Sequence, residues 1–87
     1  MKINLQLKKQ HPIPVIRDDI TIDYGFRADL IVNDKVIIEI KSVQQIAPVH
    51  YKQVMTYLKL TGIKLGLLIN FNETLIKNGI TRIVNKL

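Results

Sequence analysis

The sequence predicts an α/β fold, a mixed β-sheet crossed by one main helix, and three observations support this prediction. In the first half of the chain, short segments carry apolar residues at every second position, which is the period of a half-buried strand. Residues 48–61 change to helical spacing. The run Leu65–Asn70 that follows has no polar face, which is typical of a central strand covered on both sides.

The predicted strands before the helix are short and are separated by turn signals. Two prolines in residues 11–16 restrict that extended segment to the edge of a sheet or to a strap. Asp18-Asp19 and Asn33-Asp34 favour turns. The strands around these signals are predicted at residues 3–7, 20–22, 27–32 and 35–43.

The helix and the elements after it complete the order β-β-β-β-α-β-β. Pro48 suits a first helical turn and Gly62 suits the position after the last, so the helix is predicted to span residues 48–61. It connects the strand at 35–43 with the apolar run, and such a crossover should be right-handed. A short helical or irregular piece at residues 75–78, a turn at Gly79 and a strand at residues 81–84 follow.

Composition excludes several classes of protein. The chain has 87 residues, which allows one domain spanning residues 1–87, and its 47% apolar and 23% charged residues are typical of a folded domain. It has no cysteine, which excludes disulfides and thiolate metal sites. No apolar run approaches the roughly 20 residues that span a bilayer, and the start resembles no signal peptide, so a cytoplasmic protein is expected.

The charge balance favours a polyanionic partner. Thirteen Lys and Arg against seven Asp and Glu give a formal charge of +6, which attracts nucleic acid; a solvated basic surface without a partner is the alternative. Three of the acids, Asp23, Asp29 and Glu39, lie in or beside apolar strand segments, where a carboxylate is costly unless something binds it.

The strand at residues 35–43 carries a carboxylate and an ammonium on one face. Because side chains alternate, Ile37, Glu39 and Lys41 face one way, and the last two are about 7 Å apart along the strand. Carboxylates hold hard cations such as Mg²⁺, and a neighbouring lysine can stabilise charge on a phosphate. An ordinary exposed ion pair on a half-buried strand is the alternative interpretation.

Asp29 is the natural second carboxylate, and the turn between the two strands decides whether it can serve. A two-residue turn at Asn33-Asp34 would pair Asp29 with Ile38 and place it on the wrong face. A three-residue loop or a bulge would pair it with Glu39 instead. The metal-site hypothesis therefore predicts an odd loop or a bulge.

The predicted helix carries a polar stripe. His50, Gln53 and Tyr57 stand at i, i+3 and i+7, beside an apolar face that includes Val54 and Leu58. Such a stripe suits a helix that packs next to a site. Taken singly, the three have simpler interpretations: a surface histidine near the helix start, a solvated glutamine and an amphipathic tyrosine at the edge of the apolar face.

These residues resemble the core of the PD-(D/E)XK nuclease superfamily. Asp29, Glu39-Ile40-Lys41 and Gln53-x-x-x-Tyr57 resemble its RecB-like form, and residues 26–32, 48–50, 53–62 and 65–71 resemble the GxxExxR family of small bacterial and archaeal proteins. The resemblance implies a restriction-endonuclease-like fold with Mg²⁺ or Mn²⁺ bound by Asp29, Glu39 and the backbone carbonyl of Ile40. Lys41 would be the catalytic lysine, and Gln53 and Tyr57 would line the DNA or metal side of the site.

The sequence departs from the GxxExxR family in one respect. That family is named for a helix before the first strand, and in this sequence no G-x-x-E-x-x-R motif precedes the first predicted strand. Without the helix, the acidic cluster would be incomplete and one apolar sheet face uncovered. Three explanations follow: the chain is a fragment, another chain or a second copy covers the face, or the protein no longer cuts. A homodimer through the uncovered face is expected.

The leading functional hypothesis is metal-dependent hydrolysis of nucleic acid, with DNA as the expected substrate. Asp29 and Glu39 would hold the metal, Lys41 would stabilise the scissile phosphate, and His50 and Arg27 would line the site. Arg27, Lys52 and Lys59 would follow the nucleic-acid backbone without reading bases. The alternative is a catalytically inactive nucleic-acid-binding or assembly module that retains the nuclease fold.

Overall fold

The computed structural model describes residues 5–17, 19–23 and 25–86. Seven strands and one α-helix follow one another along this part of the chain. They are β1 (Leu7–Pro12), β2 (Val15–Arg17), β3 (Ile20–Ile22), β4 (Arg27–Val32), β5 (Val36–Lys41), α1 (Pro48–Thr61), β6 (Leu65–Asn70) and β7 (Ile80–Val84), with a short 3₁₀ helix at Ile76–Gly79 before the last strand.

Five of the strands form one mixed sheet in the order β1-β4-β5-β6-β7, and β2 pairs with β3 in a separate two-stranded sheet. Within the large sheet, β5 and β6 are parallel and the other neighbours are antiparallel. Helix α1 connects the two parallel strands, as a parallel pair requires a crossover. The predicted α/β class, mixed sheet and crossover helix are therefore confirmed.

The ends of α1 agree with the sequence prediction. Pro48 is its first residue, and Gly62 follows its last with a φ of 76°. The Gly62 N–H donates to the Leu58 carbonyl at 2.9 Å, which closes the final turn in the left-handed conformation that glycine adopts at little cost.

Helix α1 covers one face of the large sheet, here called the covered face. Gly66 of β6 allows the close approach, because a Cβ there would lie 2.5 Å from a methyl carbon of Val54. The core between helix and sheet contains Ile13, Ala28, Ile31, Ile37, Val54, Tyr57, Leu58 and Leu68.

The opposite face of the sheet, here called the open face, is apolar and only partly buried. Strand pairing and alternation place on it Leu7, Lys9, Leu30, Val32, Val36, Ile38, Ile40, Leu65, Leu67, Ile69, Ile80, Arg82 and Val84. Ile40, Ile80 and Val84 are 37%, 44% and 38% exposed. The predicted central position of β6 is confirmed, but among the described residues α1 covers only one of its faces, as expected for a sheet that lacks a second helix.

Strand boundaries near the start of the chain differ from the prediction. The first strand, predicted at residues 3–7, begins at Leu7 and continues to Pro12; residues 1–4 lie outside the described part. Its hydrogen bonds with β4 set these limits, and they extend it through polar residues that show no apolar alternation. Pro12 ends this edge strand, which confirms the edge position. The extended segment at residues 11–16 continues into β2, so one strand more precedes α1 than predicted.

The other predicted elements are found with small shifts. The strand predicted at 35–43 spans Val36–Lys41, and the last strand begins at Ile80 rather than residue 81. Of the predicted turn at residues 18 and 19, Asp19 is described and has a φ of 62°, whereas Asp18 lies outside the described residues. Within the described chain no helix is long and apolar enough to cross a membrane.

Candidate active site

The turn between β4 and β5 sets the register that the site requires. Asn33 and Asp34 have φ values of 53° and 54°, and the Lys35 N–H donates to the Val32 carbonyl at 2.9 Å. The strands pair from Val32↔Val36 through Leu30↔Ile38, so residues 33–35 form a three-residue loop. The predicted odd loop is confirmed, and the register places Asp29 opposite Glu39.

The regular strand pairing is interrupted at Asp29. The pairing of β4 with β5 includes Leu30 but does not extend to Asp29. The pairing of β4 with β1 skips Asp29 and the residue opposite it, Gln10, which has a φ of 47°. Ala28 and Ile31 both lie in the core although they are three residues apart, so the two-residue alternation of β4 breaks between them. The strand is therefore distorted where the first carboxylate lies.

Where the backbone pairing of β4 and β5 ends, side-chain hydrogen bonds connect the two strands. The Asp29 N–H donates to Glu39 Oε1 at 3.0 Å, and the Ile40 N–H donates to Asp29 Oδ2 at 2.8 Å. Each carboxylate thus accepts a hydrogen bond from the backbone of the other strand. This reciprocal pair of bonds fixes the two acids relative to each other.

The two carboxylates differ in their access to solvent. Asp29 is partly buried, and its Oδ1 accepts a hydrogen bond from Gln10 Nε2 at 3.1 Å. It lines a depression of about 460 Å³ together with Lys9, Leu30 and Ile40, which belong to the open face. Glu39 points to the covered face and is only 2% exposed. The expectation that the odd loop puts Asp29 on the same face as Glu39 is therefore wrong, although the register is the predicted one. The alternation of β4 breaks between Ala28 and Ile31, so Asp29 reaches the open face whereas Glu39 lies on the covered face.

Burial governs the protonation of Glu39. Removal from water raises the pKa of this carboxyl from its ordinary 4.5 to about 7, because the charged form loses hydration. The Asp29 N–H and the charge of Lys41 act in the opposite direction, whereas the charge of Asp29 raises the pKa further. Lys41 and the Asp29 N–H therefore offset the loss of hydration only in part.

Lys41 is the cation that lies beside the Glu39 carboxylate. Its ammonium lies 4.0 Å from Glu39 Oε2, and its side chain is 22% exposed, against 2% for Glu39. Lys41 therefore contacts the buried acid and still reaches solvent, where a phosphate could approach.

The helix residues of the predicted site have structural partners. Tyr57 is 4% exposed in the core, with its ring centroid 5.8 Å from that of Phe26, and its hydroxyl oxygen accepts a hydrogen bond from Gln53 Nε2 at 3.2 Å. His50 Nδ1 accepts a hydrogen bond from the Ala47 N–H at 2.9 Å, which closes the first turn of α1. In these contacts the three residues stabilise the helix and its packing, and their role at the site stays a prediction.

Arg27 and Asp23 pair with each other rather than with the two central acids. Arg27 Nη1 and Nη2 lie 3.3 and 3.4 Å from the Asp23 carboxylate, and the Gly25 N–H donates to the same carboxylate at 2.8 Å. These contacts lower the pKa of Asp23. The expectation that Asp23 is a costly acid in an apolar segment is wrong, because its side chain is 63% exposed.

Two polar residues near the acids escaped the sequence analysis. Gln10 binds Asp29 from the edge strand, and Asn70 is 1% exposed at the end of β6, on the same face as Glu39. Asn70 carried a usable signal, since it is a polar residue at an alternate position of an otherwise apolar strand. Gln10 carried none, because it lies in a run of polar residues.

The donor set fits a hard divalent cation that keeps part of its water shell. The described residues contain no group of three or more His, Cys, Asp or Glu side chains that could hold a metal. Two carboxylates and a backbone carbonyl nevertheless match Mg²⁺, which binds through one or two carboxylates, waters and substrate phosphate. A bound cation would also stabilise the ionised form of Glu39, which burial disfavours.

Comparison with known protein families agrees with this geometry. A model of the PD-(D/E)XK nuclease superfamily matches residues 1–83 of the 87. The chain belongs to this superfamily. PD-(D/E)XK nucleases hydrolyse phosphodiester bonds in nucleic acids and generally use Mg²⁺ or Mn²⁺. Searches of curated proteins and of solved structures found no significant match.

Proposed function

We propose that this chain is a metal-dependent nuclease that acts on DNA. Asp29, Glu39 and the backbone carbonyl of Ile40 bind Mg²⁺ or Mn²⁺, and Lys41 is the catalytic lysine. The observation that carries the proposal is the reciprocal bonding of Asp29 and Glu39 across the interrupted ladder, with the Lys41 ammonium beside the buried acid.

The roles of these residues follow from their surroundings. A cation bound between the acids would lower the pKa of an attacking water and neutralise charge on the phosphate. Lys41 reaches solvent from the buried acid, so its ammonium can contact a non-bridging phosphate oxygen and stabilise the charge that develops there. Gln10 holds Asp29 in place through its amide.

The direct test is DNA cleavage with Mn²⁺ by purified variants. Glu39→Gln, Asp29→Asn and Lys41→Met each remove one charge at nearly constant volume. Each should lower cleavage by about 100-fold or more, as expected for lost charge stabilisation in the transition state. Glu73→Gln and Lys77→Met are matched controls on exposed residues and should cleave as wild type does. Equal cleavage by all five variants would show that the activity comes from elsewhere.

A second candidate is an inactive nucleic-acid-binding module. It is favoured by the formal charge of +6 and by the observation that both acids already accept backbone hydrogen bonds, a structural role that needs no metal. Calorimetry with Mn²⁺ separates the two candidates. A nuclease shows one site that Asp29→Asn abolishes, whereas the inactive module binds DNA equally well in chelator, with an affinity that falls steeply as salt rises.

Within the superfamily, we assign the chain to the GxxExxR family. The support is the set of segments that resembles it, above all residues 26–32, 53–62 and 65–71. The test is a profile search seeded with this family alone. A stronger match of the chain to another PD-(D/E)XK family would contradict the assignment.

We further propose that a second copy of the chain covers the open face. Five strands about 4.8 Å apart and about 20 Å long present roughly 500 Å², so two faces would bury about 1,000 Å², the lower limit for a specific interface. The charged residues that pairing places on this face, Lys9 and Arg82, lie on the two edge strands and would stay at the rim. The depression that Asp29 lines is beside edge strand β1, so a second copy compatible with the nuclease must leave this side of the face open. Light scattering should give twice the monomer mass, and Ile38→Lys should give the monomer mass. A wild-type monomer at all concentrations would contradict the proposal.

A further inference from the structure

Asn70 is a buried polar residue that the proposed chemistry does not use. It is the last residue of β6, it pairs with Lys41 of β5, and it is 1% exposed. In the interior, an amide is costly unless hydrogen bonds satisfy both its donor and its acceptor. The hydrogen bonds of the Asn70 amide therefore indicate the role of this side chain.

The Asn70 side chain binds the segment that follows Lys41. Its Nδ2 donates to the Val43 carbonyl at 2.9 Å, and its Oδ1 accepts from the Val43 N–H at 3.0 Å. The amide thus bonds one residue through both backbone groups, as a neighbouring strand would. Its Oδ1 also accepts from the Asn72 N–H at 3.3 Å.

Lys41 is consequently held on both sides. The parallel ladder with β6 ends at the pair Lys41↔Asn70, and beyond it the Phe71 N–H donates to the Lys41 carbonyl at 2.9 Å. Two residues later, the Asn70 amide fixes Val43. The backbone on either side of the proposed catalytic lysine is therefore attached to β6.

Asn70 is itself closely packed. Gly79 of the 3₁₀ helix lies against the Asn70 backbone, where a Cβ would collide with the Asn70 carbonyl oxygen. A lysine side chain is a flexible four-carbon stem, so the position of its ammonium depends on the position of its backbone. Residues 42–46 belong to neither a helix nor a strand, so the Asn70 amide is a direct hydrogen-bond contact between β6 and the segment that joins Lys41 to α1.

We infer that Asn70 is a positioning residue for Lys41 and acts by bonding Val43 through its amide. This inference rests on the proposed nuclease function. The role needs a donor and an acceptor together. An ionised aspartate of the same shape keeps the acceptor and loses the donor, and leucine loses both.

The test is a double-mutant cycle on DNA cleavage with Mn²⁺, using wild type, Asn70→Asp, Lys41→Met and the double variant. Asn70→Asp should lower kcat by about 10- to 100-fold, the effect of misplacing a catalytic group, with less than about threefold change in KM and in Mn²⁺ affinity. The double variant should cleave no more slowly than Lys41→Met alone, because the lysine through which Asn70 acts is already gone. Asn78→Asp, which adds the same charge at an exposed position, should cleave as wild type does.

Val43→Pro provides a second route if Asn70→Asp fails to fold. It removes the N–H that binds Asn70 Oδ1 and leaves Asn70 unchanged, and the same loss of kcat is expected. Losses that multiply in the double variant, or a wild-type kcat in Val43→Pro, would overturn the positioning role while the nuclease stands. A wild type that does not cleave would overturn the nuclease proposal and this inference with it.

Discussion

The two faces of the sheet have opposite character although the same strands build them. On the covered face, α1 buries a core that includes Ile37 and Leu68, and it also buries Glu39 and Asn70. On the open face, the side chains are almost all apolar and are partly exposed, with Lys9 and Arg82 on the edge strands. Glu39 and Asn70 thus lie on the buried side, whereas Asp29 lines a depression on the open face, which is otherwise mostly apolar.

The two faces constrain their side chains in different ways. A buried polar group must find a partner, and among the described residues no buried side-chain nitrogen or oxygen lacks one. Glu39 accepts from Asp29 and Asn70 bonds Val43. An apolar side chain on the open face needs no particular partner. The covered face therefore fixes the positions of its polar side chains, whereas the open face provides an apolar surface without such fixed positions.

The largest expected difference between the faces is in packing. Leu68→Ala should lower the free energy of unfolding by about 3 kcal/mol, because Leu68 is fully buried and leaves a cavity. Leu67→Ala, the adjacent residue on the open face, should cost about 1 kcal/mol. Urea unfolding at micromolar protein concentration measures both. Equal costs would show that the open face is buried in solution, and a Leu67→Ala cost that grows with protein concentration would identify a second copy as the cover.

The next effect concerns pH. The pKa of Glu39 is raised from 4.5 to about 7 in the folded chain, so its contribution to stability is complete below pH 4.5 and is lost as pH rises through about 7. The loss should be on the order of 2 to 3 kcal/mol. The difference in unfolding free energy between wild type and Glu39→Gln should change by this amount between pH 4.5 and 8.

Glu73→Gln is the control for this titration, since Glu73 is exposed. Its difference from wild type should not change over the same range. At pH 8, added Mn²⁺ should raise the free energy of unfolding of wild type, because a cation stabilises the ionised acid. It should not change the free energy of unfolding of Glu39→Gln. If wild type and Glu39→Gln respond to pH alike, the carboxyl is ionised without cost.

The smallest effect is expected at the edge strand β7. Ile80→Thr on the open face should change the free energy of unfolding by less than about 0.5 kcal/mol, since Ile80 is 44% exposed and Thr suits a strand. Ile83→Thr, the same exchange on the covered face, should cost about 1 to 2 kcal/mol, because Ile83 packs against the core. Thermal unfolding of the two variants makes the comparison, and a larger loss for Ile80→Thr would contradict the assignment of the faces.

Much of the fold could be predicted because its signals are local. Apolar alternation marks β4 and a continuous apolar run marks β6, whereas α1 is bounded by Pro48 at its start and by Gly62 just after its end. The requirement that Asp29 meet Glu39 predicted a three-residue loop or a bulge, and the register shows the loop at residues 33–35. The limits of β1 could not be predicted, because an edge strand of polar residues is defined only by its partner.

The sequence predicts which residues form the candidate site but not the environment of their side chains. The sequence alone determined that Asp29, Glu39 and Lys41 lie on neighbouring strands. Only the tertiary structure decided that Glu39 is buried and its pKa raised, that Tyr57 belongs to the core, and that Asn70 bonds a residue 27 positions away. Local patterns fix which side chains share a face, but burial and charge depend on what distant segments place against that face.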